Sequence, residues 1–149
     1  ICNIEHIFSV KEASGDMTLF SEVVQKCPDK LVFSGDDPTY LPSLSLGGSG
    51  SISVLTNIFP EAFVHMTKLY AEGKVLEAKN IHNAIYPFIM ELFSETNPGP
   101  LKAVLGMGNL CQNSLRLPLD VISSNNWLPV PSILSISKHF CLIPSLPKI

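Results

Sequence analysis

The sequence predicts an α/β protein of parallel βαβ units followed by helices. The main evidence is the alternation of short strand-like runs with helical stretches: Phe8–Lys11, Leu31–Ser34 and Ser51–Val54 are strand-like, with helical segments between them. Beyond the third run the pattern becomes helical only. Composition agrees with a folded chain of 149 residues: 46% is hydrophobic and only 15% charged, against about 25% in typical globular chains. Much of the surface is therefore expected to be buried or at interfaces.

The first strand alternates Phe8 and Val10 on one face with Ser9 and Lys11 on the other, and the small Ser9 leaves room beside the lysine. Asp16 is placed to cap a helix running to about Lys26, with Phe20, Val23, Val24 and Cys27 along one side. Gly35-Asp36-Asp37-Pro38 stops the second strand, and a short helix follows over Tyr40–Leu46. Gly47-Gly48-Ser49-Gly50 forms a tight turn into the third strand. Helices are then expected over Glu61–Glu72, broken by Gly73, and over Val75–Phe93, with a kink or break at Pro87. The second of these carries Ala78, Ile81, His82, Ile85 and Ile89 as a seam, and Met66, Met90 and Met107 read as core filler. A further helix starts at Asn97-Pro98-Gly99-Pro100 and runs through Met107. After Leu119, prolines at 129, 131, 144 and 147 interrupt an apolar tail in which one short helix fits Ser132–Leu142.

The formal charge of -3, without a Lys/Arg stripe, argues against a nucleic-acid partner. No apolar run is long enough to span a membrane, and no signal peptide is visible. Cys2, Cys27, Cys111 and Cys141 match no metal-binding spacing and read as reduced thiols of a cytosolic protein. The chain begins at Ile1, as expected of a processed protein or a piece of a longer one.

Lys11 is the leading candidate for chemistry. It is the only charged side chain able to point inward from the first strand, and it sits at the C-terminal strand end, where α/β enzymes place their active sites. A confined, partly dry amine there has a lowered pKa and can form an imine. A solvated lysine at a strand end fits the same position, and the residues alone leave both readings open. Gly35 opens space for a ligand at the end of the second strand, and backbone amides around Ile52 are placed to approach a carboxylate. Asp36 and Asp37 read as helix caps before they read as a metal site. The Gly47–Gly50 run is a turn and not a phosphate loop, since it precedes a strand and lacks the Lys-Ser/Thr that follows such loops. His6, His65, His82 and His139 are scattered and read as surface or packing residues.

Several segments, taken in order, resemble the dihydrodipicolinate synthase family of pyruvate-dependent aldolases. They are Val10-Lys11-Glu12-Ala13-Ser14-Gly15-Asp16, Ser34-Gly35-Asp36-Asp37 and Gly47-Gly48-Ser49-Gly50-Ser51-Ile52-Ser53-Val54. Asn57, Gly73, Ala78, Asn97–Lys102 and Arg116–Leu119 continue the match, which covers roughly residues 4–119. The resemblance implies a partial (β/α)8 TIM barrel holding strands six to eight, followed by C-terminal helices. Residues 1–59 would then be barrel, 60–119 the last barrel helix and the helical region, and 120–149 a divergent tail. It further implies that Lys11 forms a Schiff base with pyruvate and that Gly35 and Ile52 line the pyruvate pocket. Aspartate 4-semialdehyde would be the aldehyde partner, with no cofactor, in a cytoplasmic homotetramer of the lysine pathway. The family's proton-relay tyrosines and threonine and its carboxylate-binding arginine have no match in this chain. Another pyruvate-dependent aldolase, or a catalytically incompetent half-barrel with an interaction role, are the alternatives that those absences keep open.

Overall fold

The computed structural model describes residues 2–122. Among them, β1 (Ser9–Glu12), β2 (Leu31–Ser34) and β3 (Gly50–Ser51) form one parallel sheet in the order β1-β2-β3. α1 (Met17–Lys26) joins β1 to β2 and α2 (Tyr40–Ser45) joins β2 to β3, since parallel neighbours cannot be linked by a hairpin. A 3-10 turn (Leu55–Asn57) leads on to α3 (Pro60–Ala71), α4 (Val75–Leu92) and α5 (Gly99–Met107).

Local chemistry accounts for most of these boundaries. At the start of α1 the Asp16 carboxylate accepts from the Thr18 and Leu19 N–H groups at 2.8 and 3.3 Å, satisfying two of the amides a helix start leaves open. Phe20 and Cys27 are buried and Val23 and Val24 half-buried, as their spacing predicts. Pro60 opens α3 at a position where its missing N–H costs no bond. Gly73, at φ +75°, reverses the chain between α3 and α4.

Three expectations are corrected here. β3 ends at Ser51 and not at Val54, because the Asp37 carboxylate takes the Val54 and Leu55 N–H groups at 3.1 and 2.8 Å and turns the chain out of the sheet. Of the kink or break expected at Pro87, the break is absent: α4 is one continuous helix over Val75–Leu92. Pro87 and Asn83, whose carbonyl loses its N–H partner, are both exposed, so water can satisfy that oxygen. Met90 is not core filler: it is 48% exposed, one position off the inward stripe of Ile85, Phe88, Ile89 and Leu92.

The main core lies among the helices, where Tyr40, Leu55, Phe63, Met66, Ile85 and Ile89 pack together. Tyr40 stacks on Phe63 with ring centroids 5.2 Å apart, and its hydroxyl bonds that of Thr67. No described helix is long and apolar enough to cross a membrane.

The cysteines depart from the reading of reduced thiols. Cys2 and Cys27 form a disulfide with Cα atoms 4.8 Å apart, because the segment before β1 passes the end of α1. Their sequence separation gave no sign of this proximity. Cys111 is free and exposed. Cys141, His139 and the helix expected over Ser132–Leu142 lie outside the described residues.

His82 supplies a pH prediction. It sits half-buried on α4, its ring 5.6 Å from that of Tyr86, and its buried Nδ1 has no partner among the described residues. Burial pushes its pKa below the ordinary value of 6.5. As pH falls, the unfolded chain therefore takes up this proton first. Stability is intact above about 6.5 and is lost as pH falls from there through the lowered folded value. His82→Phe is expected to flatten this part of the stability profile in urea melts between neutral and mildly acidic pH. An unchanged slope would show that His82 is not the group responsible.

Candidate active site

The register of the sheet places the candidate residues. Lys11 pairs with Phe33, and Phe33 with Gly50, so these three share one face. Alternation puts Gly35 and Ile52, each two residues further along, on that face at the C-terminal end of the sheet. The opposite face carries Glu12, Val32 and Ser34, all buried against the rest of the protein. Lys11, Gly35 and Ile52 thus lie toward one end of one face, although 17 to 41 residues separate them in sequence.

Gly35 and Lys11 are in close contact. A methyl group built on Gly35 would collide with Lys11 Cε, and would lie 2.7 Å from the Ala13 Cβ and 3.0 Å from Lys11 Cγ. The lysine stem therefore lies across the space that the glycine leaves vacant.

Two expectations about this site change. The dry confinement expected around Lys11 is not built by the described residues: Lys11 is exposed and Ile52 is 51% exposed, whereas Phe33 and Gly50 on the same face are half-buried. Of the amides around Ile52 expected to meet a carboxylate, that of Ile52 itself is committed elsewhere, as is the amide of Gly35. The Gly35 N–H donates to the Glu12 carbonyl at 2.6 Å and the Ile52 N–H to the Ser34 carbonyl at 2.8 Å. What these positions offer a ligand is carbonyl oxygen and open space.

The Asp pair acts on the backbone. The Asp36 carboxylate accepts from the Thr39 N–H at 3.2 Å and its hydroxyl at 2.7 Å, at the start of α2. Asp37 is fully buried. Burial pushes its carboxyl above the ordinary value, opposed by the donors at Leu55, Ser53 and Val54. Gly47, at φ +96°, makes the turn before β3, as the glycine run predicted. Among the described residues no group of three or more His, Cys, Asp and Glu is placed to hold a metal. His6 is exposed, while His65 is half-buried in α3.

Sequence reasoning missed Glu12. It is buried next to Lys11 on the opposite face, and its carboxylate accepts from the Ser14 N–H at 2.7 Å, shaping the turn that follows the lysine. Alternation along β1 was the available signal, since it turns Glu12 away from the face that holds Lys11.

A parallel sheet crossed by helices and followed by a helical layer is consistent with part of a TIM-barrel-like α/β fold. The chain belongs to the dihydrodipicolinate synthetase family, whose model matches residues 1–137. It is 42% identical over 118 residues to the 4-hydroxy-tetrahydrodipicolinate synthase of Leptospira biflexa, covering 78% of this chain and 40% of that protein. The solved 4-hydroxy-tetrahydrodipicolinate synthase of Methylacidiphilum fumariolicum SolV superposes with a TM-score of 0.85 at 38% identity, over 91% of this chain and 46% of that one. The chloride-inhibited dihydrodipicolinate synthase of Acinetobacter baumannii, solved in complex with pyruvate, gives 0.84 at 30% identity, over 92% of this chain and 47% of that one. The chain spans less than half the length of these proteins.

Proposed function

We propose that this chain supplies the Schiff-base half of a 4-hydroxy-tetrahydrodipicolinate synthase, which condenses pyruvate with L-aspartate 4-semialdehyde. The observation that carries the reading is Lys11 at the C-terminal strand end with its stem over the vacant Gly35. The pyruvate complex of the Acinetobacter relative supports pyruvate as the first substrate. The three strands are read as the sixth, seventh and eighth of the barrel, with residues 60–119 as its last helix and helical extension.

The chemistry suits an amine and needs no cofactor. The deprotonated Lys11 Nζ adds to the pyruvate ketone and water leaves, giving an iminium. The iminium draws electrons from the neighbouring methyl group, which loses a proton to form an enamine. The enamine carbon attacks the aldehyde carbon of the second substrate, forming the C–C bond. The amine of that substrate then displaces Lys11 by transimination. Gly35 and Ile52 line the pyruvate site, while the proton-transfer groups and the binder of the second carboxylate come from the other half of the barrel. By the same reading the whole enzyme is a cytoplasmic homotetramer.

Borohydride reduction in the presence of pyruvate tests this in the full-length protein. Peptide mapping is expected to find a carboxyethyl group on Lys11, and a folded protein without that adduct would refute the reading. Residues 1–149 alone are expected to show no synthase activity, because the relay groups are missing and the sheet face around Lys11 is open. Product formation by the purified 149-residue chain at rates near those of the full-length enzyme would overturn this.

A further inference from the structure

The loop after β2 and the loop after β3 carry the two backbone segments assigned to the pyruvate site, and one buried side chain ties them together. Asp37 lies two residues beyond Gly35, while Val54 and Leu55, whose N–H groups it accepts at 3.1 and 2.8 Å, lie two and three residues beyond Ile52. The loop holding Asp37 is itself fixed. The Ser34 hydroxyl donates to the Asp36 carbonyl at 2.9 Å and accepts from the Asp36 N–H at 3.3 Å, and Asp36 is held by Thr39. Asp37 therefore reaches from a pinned loop to a second one. Leu55 is fully buried, so its N–H would be left without a partner in a dry site if the carboxylate were removed.

We propose that Asp37 is a positioning residue for pyruvate: its buried carboxylate fixes the Ile52 segment relative to Gly35 and Lys11. This rests on the Schiff-base reading above. Asp37 is fully buried and its carboxylate is taken up by the Val54 and Leu55 N–H groups, so its contribution is geometric. Without it the exit of β3 can relax away from β2 just beyond the Ile52–Ser34 hydrogen bond, widening the site on the side opposite Lys11. The lysine itself, held on β1, stays where it is. Binding of pyruvate should weaken while the intrinsic ability of the amine to form an imine is retained.

The test uses borohydride trapping in the full-length protein, measured against pyruvate concentration for wild type, Asp37→Ala and Asp37→Asn, with circular dichroism melts to establish folding. Asp37→Ala is expected to raise the half-saturating pyruvate concentration by about tenfold or more, with the plateau of labelled Lys11 unchanged. Asp37→Asn keeps one accepting oxygen and is expected to give an intermediate shift. It also provides the comparison if the alanine variant does not fold. Folded variants with a half-saturation equal to wild type overturn the positioning role, as does an equal loss of plateau and affinity in step with lost stability. Absence of any adduct in wild type overturns the Schiff-base reading and this inference together. A wild-type adduct with an unmoved variant curve overturns only the role of Asp37.

Discussion

Lys11→Ala is expected to remove the reducible pyruvate adduct and to lower turnover of the full-length protein by about 10³-fold or more, the scale lost when a covalent nucleophile is deleted. Binding of pyruvate by neighbouring groups cannot compensate, because without the iminium the methyl proton of pyruvate remains too weakly acidic to be lost at neutral pH. Stability should be nearly untouched. Lys11 is exposed and makes no ion pair among the described residues, so the variant should melt within about 0.5 kcal/mol of wild type. Lys11→Arg separates charge from nucleophilicity: the guanidinium keeps the positive charge but stays protonated and forms no imine. Both variants should therefore be equally dead in trapping. An adduct that moves to another lysine, or turnover within tenfold of wild type, would assign the chemistry elsewhere.

The fold, and the placing of the candidate site residues on it, were legible in the sequence to the extent that they depend on alternation and local chemistry. Period-two patterning put Ser9 and Lys11 on one face, and β1 obeys it. The Asp16 cap and the Gly47 turn were readable because each is satisfied within a few residues. The resemblance carried by the Lys11, Gly35 and Ile52 segments agrees with the family to which the chain belongs. What the sequence did not disclose depends on contacts between distant segments. The early end of β3 follows from a carboxylate 17 residues upstream of Val54, and the Cys2–Cys27 bond from the segment before β1 passing the end of α1. The hydrogen bonds that occupy the Gly35 and Ile52 amides are set by strand pairing, which no single segment encodes.

Gly35→Ala should damage both the chemistry and the packing of the candidate site. The added carbon would fall on Lys11 Cε and only 2.7 Å from the Ala13 Cβ. These two neighbours respond differently. The lysine stem is flexible and can swing away, whereas the Ala13 methyl moves only with its backbone. The first clash therefore appears as misplaced chemistry and the second as strain. Displacing the reacting amine by about 1 Å is expected to cost about 10²-fold in trapping rate and turnover. The overpacking against Ala13 should cost about 1–3 kcal/mol of stability. The double variant Ala13→Gly/Gly35→Ala divides the two effects. It should recover stability because the rigid contact is gone, yet remain slow because the methyl group still occupies the space beneath Lys11. Recovery of trapping along with stability in the double variant would show that Gly35 serves packing alone. A slow but stable double variant would place the requirement for glycine on the lysine's own path to the ketone.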